Sequence, residues 1–135
     1  SADIMKTLTF DPPLGHITTF GGHPVSCAAG LAAQKFLQEN NLLEHSNKMG
    51  TLYRELMLHR GIKQIRGLGL FLAVEFTQDV SLESFMEKAF ENGLIIDQFL
   101  FCKNAFRIAP PLIIEEVDVK TSAQLLLNAI EKSMI

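Results

Sequence analysis

Residues 15–24 hold the densest group of chemically useful side chains: Thr18 and Thr19 together, then Phe20, Gly21, Gly22 and His23, ending on Pro24. Glycine lets backbone N–H groups come close to an anion, threonine hydroxyls donate to it, and a helix N-terminus adds positive potential. Pro24 suits the first position of a helix, so the hydroxyls and glycines stand just ahead of one. Phosphate is the natural guest of such a set. The same residues would serve a plain loop in which threonines cap a turn and glycines take positive φ. Their spacing matches neither the P-loop nor the dinucleotide fingerprint.

Arg107 is the second candidate. It alternates with Phe106 and Ile108, so it points away from their face, and Pro110-Pro111 ends the strand soon after. A guanidinium fixed near a strand end can grip a carboxylate through two parallel hydrogen bonds. The competing reading is a partly solvated arginine paired with a surface acid such as Glu75. Other stretches carry less. Gly67-Leu68-Gly69 opens like a dinucleotide fingerprint, but Leu72 stands where the third glycine belongs and the residues around it read as strand. Arg66 is expected to anchor that turn through backbone carbonyls. His16, His23 and Cys27 fit no compact zinc spacing, so no metal site is expected. His45 and His59 read as solvated helix residues, and Glu115, Glu116 and Asp118 as a helix start.

The elements that must position these groups follow from periodicity. Val25, Ala28, Ala29, Ala32 and Phe36 give a helix one apolar face over about residues 24–40. A second helix starts at Asn41, with Glu44 three residues on as in a capping box, and Gly61 is its expected stop. Leu42, Met49, Leu52, Tyr53 and Leu56 form its inner face. A third, starting after Asp79 or Ser81 and ending at Gly93, buries Leu82, Phe85, Met86, Ala89 and Phe90. A fourth, about residues 115–132, buries Val119, Ala123, Leu126, Leu127 and Ile130. Strands are expected over 62–66, 70–76, 94–97 and 105–109, with 99–102 open between strand and helical turn. Residues 1–23 have little core-forming pattern and read as an extended arm or loop. The sum is an α+β fold: a small, mostly antiparallel sheet with helices on one face, preceded by an arm (1–23) and a long linking helix that opens the second part (24–135).

Composition narrows the classes of function. The 135 residues suffice for one domain, and 47% apolar with 20% charged residues is globular. No apolar run is long enough to cross a membrane. A net charge of −3 without a basic stripe argues against nucleic acid. Cys27 and Cys102, far apart in sequence, read as small buried hydrophobes in a reducing, cytoplasmic setting.

Residues 15–24 resemble the H-x-x-T-F-G-G-N-P loop of the class III, pyridoxal-phosphate-dependent aminotransferases, with His23 where asparagine is usual. Arg66-Gly67-Leu68-Gly69-Leu70 and Phe106-Arg107-Ile108-Ala109-Pro110-Pro111-Leu112 follow in the family's order, so the resemblance covers nearly the whole chain. It implies the end of the large domain's active-site loop, the linking helix and the C-terminal small domain of a fold type I enzyme. It implies that Thr19, with Thr18, Phe20 and Gly21 beside it, meets the phosphate of pyridoxal 5'-phosphate in the neighbouring subunit of a homodimer. It implies that Arg107 holds a substrate carboxylate. The parent would move an amino group between an amino acid or amine and a 2-oxo acid. The family's Schiff-base lysine has no counterpart here, since Lys6 lies too close to the loop. The 135 residues are therefore expected to bind no cofactor and to be inactive alone. The alternatives are a free-standing binding or assembly module, or a complementing chain of a split enzyme.

Overall fold

The computed structural model describes residues 1–11 and 17–135, in two compact units, Ser1–Glu39 and Asn40–Ile135. Of Asp11 to Gly15, which the prolines lead one to expect as extended or turning, residues 12–15 lie outside the described residues, as does His16.

The first unit holds α1 (Ala2–Lys6) and α2 (Pro24–Glu39). The turn of helix at α1 was not expected in the arm. Its local signals are there: the Ser1 side chain accepts from the Ile4 N–H, Asp3 sits in the first turn and Lys6 in the last. α2 begins at Pro24 as its sequence predicts, yet buries none of its residues. Val25, Leu31 and Phe36 are all exposed, and so is Cys27, against the expectation of a buried thiol. Periodicity identifies which residues share a face; it does not supply what covers that face.

The second unit packs α3 (Leu42–Leu56), α4 (Leu82–Glu91) and α5 (Glu116–Glu131) on a four-stranded sheet of β1 (Ile62–Leu68), β2 (Phe71–Phe76), β3 (Asp97–Phe99) and β4 (Cys102–Ile108). The strand order is β1-β2-β4-β3, and every pairing is antiparallel. This is the expected α+β architecture. Leu72, Val74 and Phe76 on β2 and Phe106 and Ile108 on β4 turn inward, where they are almost wholly buried. The rings of Phe76, Phe85 and Phe106 meet at centroid separations of 4.5–5.3 Å, tying α4 to the two central strands. Met49 and Tyr53 from α3, and Val119, Ala123, Leu126 and Ile130 from α5, complete the core.

Several boundaries move for identifiable reasons. α3 stops at Leu56 because Met57 turns into the core, so Gly61 does not cap it. Asn41 precedes α3 in the left-handed region (φ 50°) and makes no side-chain cap, so the expected capping box is absent. α4 is capped by Ser81, whose Oγ accepts from the Ser84 N–H. It ends in a Schellman motif: Leu94 N–H reaches Ala89 O, Gly93 N–H reaches Phe90 O, and Gly93 has φ +81°. That cap uses the Leu94 N–H, and strand pairing begins only at Asp97, not at 94. Phe90 is exposed on the outer side of α4. The undecided residues 99–102 form a hairpin turn: Phe99 pairs with Cys102 across Leu100-Phe101.

The β1–β2 hairpin is a two-residue turn, Gly69-Leu70, between Leu68 and Phe71, with positive φ at Gly69. α3 closes on this turn. Ser46 Oγ accepts from the buried Leu70 N–H at 3.0 Å, and Arg54 donates to the carbonyls of Ile65 (2.6 Å) and Gly67 (2.9 Å). A Cβ on Gly50 would fall inside the van der Waals shell of the Gly69 carbonyl oxygen. Gly50→Ala is therefore expected to force α3 off the hairpin and cost about 2 kcal/mol or more, as overpacking does. A denaturant titration of the variant would show it as a lower midpoint; an unchanged midpoint would mean that the contact yields freely.

On the outer face of the sheet, Glu75 is buried under Lys63 Nζ (2.6 Å), Gln64 Nε2 (2.6 Å) and Arg66 (3.9 Å). The hydrogen bond from Lys63, then that from Gln64, holds its carboxyl down at about 2, against an ordinary 4.5. The folded value is the lower one, so this stabilisation is fully present above pH 4.5 and is lost as pH falls toward 2. Glu75→Gln is expected to flatten the acid limb of a stability–pH curve in that window; a limb as steep as wild type would show that Glu75 does not carry it.

Candidate functional site

The threonine–glycine segment is a turn leading directly into α2. The Phe20 carbonyl accepts the His23 N–H at 3.1 Å, and the His23 carbonyl accepts the Cys27 N–H at 2.9 Å. Gly22 is the third residue of that four-residue turn, with φ +78°, a position that favours glycine. A Cβ on Gly21 would come within 2.8 Å of Thr18 Oγ1, so the exposed hydroxyl would have to turn aside. Thr18, Thr19 and Phe20 are exposed. α2 has no acid in its first turn, whereas α3, α4 and α5 carry Glu44, Glu83 and the Glu116–Asp118 pair there. The positive end of α2 is thus not offset by an acid in its own first turn, as it is in the other four helices, α1 with Asp3 included.

Arg107 sits on β4 directly opposite Asp97 on β3. Its Nη2 pairs with Asp97 Oδ2, and its guanidinium lies over the Phe71 ring, 5.7 Å from the centroid. The acid is therefore Asp97, not the expected Glu75, whose oxygens are taken by Lys63 and Gln64. The side chain does point away from buried Phe106 and Ile108, as alternation requires. Sequence reasoning missed Asp97 and Phe71. The available signal was the strand pairing, which needs the hairpin turn at 100–101 to be placed first.

Other assignments shift as well. The donor to the hairpin carbonyls is Arg54, while Arg66 faces Glu75. His45 is half-buried and donates from Nε2 to the Ile114 carbonyl at 2.8 Å, fastening α3 to the segment before α5. His59 lies beyond α3. Its Nδ1 accepts the Gly61 N–H, which puts the neutral ring's proton on Nε2, and Nε2 donates to Glu131 at 2.8 Å. That bond, with Arg60 behind it, lowers the Glu131 pKa. Among the described residues no three His, Cys, Asp or Glu side chains cluster as metal ligands, and no helix is long and apolar enough to cross a membrane.

A cavity of about 350 Å³ opens within the second unit among Tyr53, Ile96, Ile108, Pro110, Ser122 and Leu126. It is mainly apolar. The Tyr53 hydroxyl is already bonded to Ser122 Oγ at 2.7 Å, and burial pushes its pKa up.

A sequence profile described as "Aminotransferase class-III" matches residues 1–131. The chain is 35% identical over 119 residues to the acetylornithine aminotransferase of Caldanaerobacter subterraneus subsp. tengcongensis, covering 84% of this chain and 30% of that protein. It is 33% identical over 124 residues to ornithine aminotransferase 1 of Staphylococcus aureus, covering 87% of this chain and 29% of that one. Among solved structures it superposes on the omega transaminase from Pseudomonas jessenii in complex with PMP, with a TM-score of 0.78 at 28% identity, over 98% of this chain and 32% of that one. The chain thus spans about a third or less of the length of the relatives it matches.

Proposed function

The chain belongs to the class III aminotransferases, and from that premise we propose that it is the C-terminal part of a transaminase of the acetylornithine or ornithine type. Its whole enzyme would move an amino group between an amino acid or amine and a 2-oxo acid, in the cytoplasm. Residues 1–23 would be the active-site loop, and 24–135 the linking helix and small domain.

The observation that carries this reading is the turn at the start of α2. Two hydroxyls, two glycines, of which Gly22 takes positive φ, and a helix start free of acids make a donor set suited to phosphate. These residues fit the phosphate end of pyridoxal 5'-phosphate. Thr19 would donate its hydroxyl, Thr18 and the Phe20–Gly21 backbone would flank it, and the subunit served would be the neighbour in a homodimer. When bound, the cofactor supplies the electron sink and the amino-group carrier. Arg107 would bind and orient the substrate carboxylate, contributing uniform binding and alignment rather than chemistry.

None of this binds the cofactor's reactive end. Lys6 closes a five-residue helix, exposed and paired with Asp3. The 135 residues mixed with pyridoxal phosphate, an amino donor and a 2-oxo acid are therefore expected to turn over no faster than the free cofactor; faster turnover would place the missing lysine within this chain.

In the whole enzyme, Thr19→Ala removes one charge-assisted hydrogen bond and is expected to weaken cofactor retention by about tenfold or more, read by dialysis and absorbance. Equal retention would remove Thr19 from the site. Arg107→Lys keeps the charge but loses the planar fork, so the KM for a carboxylate-bearing donor should rise while kcat changes less. An unaltered KM would return Arg107 to a surface role.

A further inference from the structure

Arg107 belongs to a row of directly opposed residues that crosses the outer face of the sheet. Arg66 on β1 faces Ala73 on β2, Ala73 faces Arg107 on β4, and Arg107 faces Asp97 on β3. The two flanks of Arg107 differ. On one, Asp97 Oδ2 takes a single guanidinium nitrogen, Nη2. On the other, Ala73 offers only a methyl group. The Phe71 ring lies against the guanidinium at 5.7 Å.

The side chains of Arg107 and Asp97 are 35% and 63% exposed. An ion pair so wet adds little to stability. What it changes is the freedom of Arg107. A guanidinium carries five N–H donors; Asp97 takes one hydrogen of Nη2, and the second Nη2 hydrogen, together with Nη1 or Nε on the side Asp97 leaves open, can still offer a parallel pair of hydrogen bonds. Held by a carboxylate at one end, with the Phe71 ring centroid 5.7 Å from its central carbon, the fork has less rotamer freedom left to lose when it binds.

We propose that Asp97 is a positioning residue for substrate: it holds the Arg107 fork ready for a carboxylate that arrives over Ala73. This rests on the reading of Arg107 as the carboxylate clamp. Asp97 also repels an incoming carboxylate, but at its exposure water and salt screen that repulsion, so orientation outweighs charge.

The test compares a donor that bears a carboxylate with a primary amine that lacks one, in the cofactor-loaded whole enzyme. In Asp97→Ala the KM ratio of the first donor to the second should rise about fivefold, with kcat for the first falling by less than its KM rises. Asp97→Asn keeps an acceptor oxygen in place and should restore most of the ratio. Glutarate, a dicarboxylate with no amino group, should bind Asp97→Ala about fivefold more weakly by titration calorimetry. A ratio and a glutarate affinity that stay level, or move the other way, in Asp97→Ala overturn the proposal. If Arg107→Lys raises the ratio and Asp97→Ala does not, the clamp stands and the positioning role fails. If neither variant moves it, the clamp reading itself has failed.

Discussion

The approach of α3 to the β1–β2 turn leaves no room for a side chain at Gly50, and most of the second unit depends on that closeness. With the two backbones in contact, Ser46 reaches the buried Leu70 N–H and Arg54 reaches two hairpin carbonyls. A hairpin clamped at its turn has one register, since a slip of one residue would carry Leu72, Val74 and Phe76 out of the core. β2 in turn pairs with β4, which fixes the side of the sheet from which Arg107 rises. The position of a surface guanidinium is thus set by a glycine on a helix some distance away in sequence.

The outer face of the sheet puts two carboxylates to different use. Glu75 is buried beneath three donors, which is why its carboxyl titrates so low, and every oxygen it has is committed. Asp97, on a three-residue edge strand, meets one nitrogen of one arginine and remains mostly in water. The first arrangement secures a fold. The second leaves a guanidinium partly unspent, which is the condition for binding something else.

α2 shows the same division in helix electrostatics. Four helices, α1, α3, α4 and α5, carry acids in their first turn, and α2, preceded by the Thr18–Gly22 turn, carries none. Acids there would have favoured the isolated helix, so α2 forgoes a local stabilisation that the other helices use. The exposed apolar residues of the same helix are consistent with a chain that spans about a third or less of the length of its relatives.

Periodicity and punctuation by themselves determined the architecture. The alternation through Leu70, Leu72, Val74 and Phe76, the stripes of α3, α4 and α5 apart from Phe90, Gly93 as a stop and Pro24 as a start are local patterns, and they hold because backbone geometry and apolar burial act over a few residues; between Asp79 and Ser81, left open in the sequence, the structure makes Ser81 the cap. The threonine–glycine motif and the Arg107 strand were legible for the same reason. Only the tertiary structure decided who meets whom. Asp97 rather than Glu75 pairs with Arg107, Arg54 rather than Arg66 holds the hairpin, His45 fastens Ile114, and Cys27 is exposed rather than buried. Side-chain partners depend on strand order, register and the approach of distant backbones, and pair energies of this size are too small to announce themselves in a linear sequence.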